Sequence, residues 1–349
     1  MFEKCLSTQI NILQKKIDLL PDRLISAYYL ANLYNINGND AEAIGYYNEV
    51  LKNDPYFSKA HNNLGVSLRS LGRFDEAISH FSKALQIDPE YGKAYYNLGV
   101  TLMEMNRLDE AVNYYLEALR INPGHLNAHH KLGLTLARQG KLDEAINHYS
   151  IILKIDNKHT EAYNDMGVAL ARQGRLDEAI NNFLKVVQID PDHVKAHYNL
   201  GISLARQGRY DTAIKHFSRA LQINPDYMEA HYNLGIVLAK TGRLKNAIHH
   251  FLEALRINPG YMEAHYSLGL AMEKQGRLDK AIYHFSKALQ LNPDFAKAHK
   301  SLGVAMARTG NFEGAVTHFR EALRIKPDYI QAENLLNEIL KLQQQNSLK

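Results

Sequence analysis

The chain holds a single cysteine, Cys5. No disulfide can form within it, and nothing in it calls for an oxidising compartment, so a reducing cytoplasm is the expected setting. Excess charge of either sign is also missing, since 41 basic residues face 37 acidic ones for a formal net charge of +4. That balance argues against nucleic acid or an anionic membrane surface as partner. No stretch approaches the roughly eighteen consecutive apolar residues of a membrane-spanning helix, so membrane insertion is not expected. The opening MFEKCLSTQINILQKK interrupts its apolar residues with Glu3, Lys4 and Gln9 and offers no small-residue cleavage site, so no secretion signal is read there. Proline is scarce, with nine residues in 349, and the nine are not scattered. What is present, 46% hydrophobic and 22% charged residues, is ordinary for a folded, soluble protein.

The scarce residues mark out a repeat. Gly65, Gly99, Gly133, Gly167, Gly201, Gly235, Gly269 and Gly303 follow one another at intervals of thirty-four residues. Starting each unit seven residues before its glycine gives nine units, 24–57 through 296–329, with Ala31 in the glycine slot of the first. Every proline, from Pro21 to Pro327, then falls at position thirty-two. A proline cannot sit inside a helix but suits a first helical turn after an Asp or Asn cap, so Asp88-Pro89 and Asn122-Pro123 are expected to open helices. A second glycine column at position fifteen, Gly38 to Gly310, has Asn106 as its one exception. Glycine and then asparagine are the residues that best tolerate a left-handed backbone just past a helix end. Each unit therefore reads as two helices, A before that turn and B after it.

The first glycine column lies inside helix A, where glycine costs roughly 1 kcal/mol relative to alanine. Position twenty of helix B is alanine in all nine units, Ala43 to Ala315. Small residues facing small residues are expected to let the two helices approach closely. Leucines at positions seven and eleven (Leu64, Leu68) and rings at twenty-four (Tyr47, Phe81, Tyr115, Phe183, Phe319) fill the remaining space at helical spacing.

Leu-Gly at seven and eight, Ala at twenty, Phe or Tyr at twenty-four and Pro at thirty-two resemble the tetratricopeptide repeat, over nearly the whole chain. The resemblance implies an all-α, right-handed superhelical solenoid, with A helices lining a concave groove and B helices outside. Residues 1–23 read as a partial repeat, helix B only, or an N-terminal cap; 24–329 as the nine repeats; and 330–349 as a capping helix with a polar tail.

If A helices line the groove, positions two, five, six, nine and thirteen face a ligand. Position six offers Asn63, Asn97, Asn199 and Asn233, broken by Lys131 and Asp165 and followed by Ser267 and Ser301. A primary amide both donates and accepts, so a row of them could hold an extended peptide backbone whatever its side chains. At those four residues the column is similar to the asparagine ladder of O-linked N-acetylglucosamine transferases. Position five carries Tyr96, Tyr198, Tyr232 and Tyr266, which read equally as anchors for a ligand or as packing against the neighbouring A helix. Position thirteen carries Arg138, Arg172, Arg206, Lys240, Lys274 and Arg308, a stripe that could attract an acidic peptide. The same cations also complement the dipole at the end of helix A, as Asp143-Glu144 does at the start of helix B. The family's carboxylate-clamp variety uses asparagine at position nine, where this chain has aliphatic residues such as Val66, Leu134, Ile202 and Val304. That mode is disfavoured.

Of seventeen histidines, six stand at position four (His61, His129, His197, His231, His265, His299) and six at position twenty-three (His80, His148, His216, His250, His284, His318). Members of one column lie on successive repeats, too far apart to share a metal ion, so a structural role is expected and no metal or other cofactor. No nucleophile-elbow, phosphate-loop or zinc-hydrolase motif appears. The leading expectation is a non-catalytic scaffold binding an extended segment of a protein partner. The alternatives are a substrate-recruiting segment of a larger enzyme, such as a glycosyltransferase, and a homo-oligomer assembled through solenoid ends or convex faces.

Overall fold

The computed structural model describes residues 8–14 and 23–347, and among these helix follows helix with no strand. The repeat beginning at residue 228 shows the plan: helix A is Met228–Lys240, helix B is Leu244–Ile257, and the next helix A begins at Met262. Packing divides the chain into two units, Met1–Gly174 and Arg175–Lys349, each a stack of such helices. Within each unit a helix A packs on its own B and on the B before it, as an α-solenoid requires.

The turn from A to B is the one the glycines foretold. Gly242 has φ +78°, and its neighbour Arg243 donates its backbone N–H back to Leu238 O at 2.9 Å, closing the helix end. Asn106, at φ +60°, is the one non-glycine residue in a left-handed conformation among the described residues. Asp75 and Glu76 stand in the first turn of helix B, Phe74–Ile87, where negative charge complements the helix dipole.

The prolines do something other than open helix A. Helix B ends at Ile223, and Asn224 to Tyr227 form a β-turn with Tyr227 N–H donating to Asn224 O at 3.3 Å. Pro225 is the second residue of that turn, where its fixed φ fits, and Asn224 Oδ1 accepts from Asp226 N–H at 3.1 Å. The Asp or Asn that precedes seven of the prolines, Pro55 to Pro293, thus starts a turn and does not cap the next helix. In the repeat that lacks proline, the Asp alone suffices: Asp156 Oδ1 accepts from Lys158 N–H at 3.0 Å.

The close approach of A and B also has a different partner from the one expected. The glycine of helix A faces the ring at position twenty-four and not the alanine at twenty. A Cβ added to Gly235 would lie 2.6 Å from Phe251 Cε1, and one added to Gly65 2.7 Å from Phe81 Cε1. These rings are the largest fully buried side chains, 0–1% exposed, and each contributes roughly 1.5–3 kcal/mol by leaving water. A flat ring on a bare backbone sets the interhelical distance, and this offsets the glycine's helix cost.

At the ends, residues 8–14 are helical, with Ile10 buried and Tyr34 Oη donating to Gln14 Oε1 at 3.1 Å. The rest of the expected N-terminal half-repeat lies outside the described residues. The last helix, Ile330–Ser347, lays Leu335, Leu336, Ile339 and Leu340 against Val316 and Phe319.

Candidate peptide-binding face

Within each unit, every helix A touches the helix A of the next repeat, whereas no B helix touches another B among the described residues. The A helices therefore form a continuous wall along one side of each unit, and the columns chosen from sequence lie on it.

Positions five and six turn out to be bonded to each other across repeats. Asn63 Nδ2 donates to Tyr28 Oη at 3.0 Å and to Asn32 Oδ1 at 2.8 Å, while its Oδ1 accepts from Asn62 Nδ2 at 2.9 Å. Asn97 Nδ2 donates to Asn62 Oδ1 at 2.9 Å. His130 and Asp165 meet in the same slot at 2.8 Å. In the second unit Asn233 Nδ2 donates to Tyr198 Oη at 3.1 Å and to Glu229 O at 2.8 Å, and Tyr232 and Tyr266 reach Ser267 and Ser301, each at 3.5 Å. The asparagine column is thus also a series of ties between repeats. Asn199 is half-buried on helix Val194–Arg206, in line with the others.

The tyrosines are half-buried, and each is held between two rings. Tyr96 stacks on His125 at 5.1 Å and lies 6.1 Å from Tyr115. Tyr198, Tyr232 and Tyr266 lie 4.9 Å from Tyr227, Tyr261 and Phe295. Their packing partners are the ring of their own helix B and the residue that opens the next helix A. Burial pushes the phenols of Tyr96 and Tyr198 above the usual tyrosine range.

The basic column is exposed: Arg138, Arg172, Arg206, Lys240, Lys274 and Arg308 stand at the ends of their A helices. Arg172 donates to Ala137 O at 2.8 Å, at the end of the helix A before it, Arg308 pairs with Glu273 at 3.1 Å, and Lys240 Nζ lies 5.8 Å from the Tyr210 ring centre. These contacts fit the helix-end account and leave the side chains accessible.

Sequence reading missed a cleft of about 590 Å³ on the wall of the first unit, lined by Tyr28, Lys59, Asn63, Tyr91, Lys93 and His125, with Gly92, Ile121 and Asn122 completing it. Two lysines and no acid line it. Lys59 and Lys93 both stand at position two, so the signal was in the sequence, in a column whose members differ from repeat to repeat.

The histidine columns also meet, which single-column spacing could not show. Nδ1 of position four lies 2.9–3.1 Å from Nδ1 of position twenty-three within the same repeat, in six repeats. Nε2 of the first ring approaches the carbonyl of the preceding proline at 2.9–3.2 Å. Three further histidines, His125, His159 and His193, use Nδ1 to accept from a backbone N–H in the first turn of helix A.

Models of the tetratricopeptide repeat match residues 13–56, 164–227, 198–261, 232–294 and 266–330, and, in a second version, 56–124, 90–158 and 124–192. No curated protein sequence matches the chain. Among solved structures, PilF of Pseudomonas aeruginosa shares the fold at 19% identity and a TM-score of 0.55, covering 61% of this chain and 97% of its own. YrrB, a TPR protein with an unusual peptide-binding site, is 24% identical over 54% of this chain and 96% of its own, with a TM-score of 0.49. MamA of Desulfovibrio magneticus RS-1 is 27% identical over 49% and 96%, with a TM-score of 0.47.

Proposed function

Since this chain belongs to the tetratricopeptide repeat family, we propose that it is a non-catalytic scaffold that holds an extended, acidic segment of a partner protein against its A-helix wall. The observation that carries this reading is the cleft at Lys59 and Lys93. It is open, has aromatic sides at Tyr28 and Tyr91, and presents two ammonium groups to whatever enters. An acidic side chain there gains charge-assisted hydrogen bonds, while the tyrosines supply rigid apolar area at small entropic cost. The exposed cations add the same preference within each unit, Arg138 and Arg172 in the first and Arg206, Lys240, Lys274 and Arg308 in the second. Asn63 contributes less than a free ladder member would, because both its amide hydrogens and one lone pair of its oxygen are already used within the protein.

The test is selection from a random peptide display library followed by fluorescence anisotropy. Selected peptides should be rich in Asp and Glu, and Lys59→Glu with Lys93→Glu should weaken their binding at least about tenfold, or about 1.4 kcal/mol. Asn199→Ala with Asn233→Ala should weaken peptides that bind the second unit. Unchanged affinities, with helicity intact, would remove the assignment. A second reading, that the chain recruits substrates for a larger enzyme such as a glycosyltransferase, rests on the asparagine column and is settled by the full open reading frame.

A further inference from the structure

Among the described residues, no three His, Cys, Asp or Glu side chains gather as metal ligands. Pairs are another matter. In each of the six His–His contacts the ring at position four is fixed from behind: a carbonyl can only accept, so its Nε2 carries the proton and its Nδ1 presents a lone pair. The second ring must therefore donate Nδ1–H into that lone pair. A histidine with one nitrogen bonded to a backbone carbonyl and the other turned to a shared centre is the arrangement that protein metal ligands adopt. The separation fits as well. Two cis ligands on an ion with bonds of about 2.0–2.1 Å lie about 2.9 Å apart, and the nitrogens lie 2.9–3.1 Å apart.

We propose that these histidine pairs are two-nitrogen chelates for a divalent transition-metal ion of square-planar or tetragonal preference, Cu(II) before Ni(II), which binds both Nδ1 atoms from beside the line that joins them and replaces their hydrogen bond. Imidazole nitrogens at a cis spacing, with water free to fill the other positions, suit those ions, and Cu(II) stands highest in the general affinity order. The ion bonds to both Nδ1 atoms. The proton leaving Nδ1 of the second ring is replaced by one taken up at its Nε2, so the ring changes tautomer and the pair gains or loses no proton. Position four stays still, because it is buried and anchored. Position twenty-three is half-exposed and can rotate to aim its lone pair. Bound metal would clip helix A to helix B in the same repeat.

One repeat supplies the control. Residues 92–125 fill the same two columns with Tyr95 and Tyr114, rings 6.3 Å apart, so the fold accepts tyrosines there. Full-length, untagged chain carrying Cys5→Ser, which removes the one thiol that could bind or reduce copper, is titrated with CuCl2 and read by electron paramagnetic resonance. Six tight sites showing coupling to two nitrogens are expected, with a higher thermal midpoint on loading. His231→Tyr with His250→Tyr should lower the stoichiometry by one while leaving circular dichroism unchanged. His249→Tyr, an adjacent histidine outside the pairs, should leave it at six. The proposal fails if the paired replacement does not change the stoichiometry, if the spectra show one nitrogen per ion, or if no ion binds more tightly than to a chain with all six pairs replaced.

Discussion

Replacing Gly235 by alanine sets two large effects against each other, and the structure says which wins. In an ordinary helix the change is favourable by about 1 kcal/mol, because glycine pays the larger backbone entropy. Here the new Cβ would lie 2.6 Å from Phe251 Cε1, 2.8 Å from Cδ1 and 3.1 Å from Cζ, where carbon atoms at their optimum are about 3.5–4.0 Å apart. Phe251 is 1% exposed, so its ring cannot swing into solvent and must push helices A and B apart by roughly an ångström. Overpacking of this kind costs about 1–3 kcal/mol, and since wild-type packing also loses contacts as the helices separate, the upper part of that range applies. The net expectation is a loss of about 1–2 kcal/mol. Gly45 gives the matched control: it lies inside helix Asp40–Asn53 with nothing within 4 Å of an added Cβ, so Gly45→Ala should stabilise by about 0.5–1 kcal/mol. Solenoids open locally, so hydrogen exchange of Met228–Lys240 and of Asp40–Asn53 is the assay, with urea denaturation beside it. If Gly235→Ala stabilises its helix as Gly45→Ala does, the ring-on-backbone account of the repeat is wrong.

Asn106→Ala should cost about 1–2 kcal/mol, since alanine must then adopt φ +60°, whereas Asn106→Gly should be neutral or stabilising; chemical denaturation of both variants checks this. Tyr198→Phe should cost about 1 kcal/mol by leaving Asn233 without one acceptor, and in a double-mutant cycle with Asn233→Ala the two losses should not add. For the His197–His216 pair, burial first and His197 second lower the His216 pKa from 6.5 to about 4. The unfolded chain then binds more protons below pH 6.5, so this contribution to stability is complete above 6.5 and is lost as pH falls towards 4. Thermal midpoints in EDTA across that window should decline, and His197→Tyr with His216→Tyr should flatten the decline.

What was legible was where the candidate columns stand. Helical spacing and the Leu-Gly signature put positions two, five, six and thirteen on one side of helix A, and that is where the wall lies. The use made of those residues was not legible. Tyr198 and Asn233 are thirty-five residues apart and join only because consecutive A helices are neighbours, offset by one position. Lys59 and Lys93 form a basic cleft only because Tyr28 and Tyr91 stand beside them.

The sequence by itself determined the helix pairs, the turn from A to B and which side chains are small, because those depend on backbone conformation and on a period that repeats nine times. It also determined where a left-handed residue must fall, down to Asn106 as the substitute for glycine. Tertiary structure alone decided that the glycine of helix A faces a ring. It decided too that proline lies within a turn, and that two histidine columns nineteen residues apart meet nitrogen to nitrogen. The physical reason is common to all three. Local preferences act within one or two helical turns, whereas these contacts depend on how far apart two helices settle, which only the packed rings between them set.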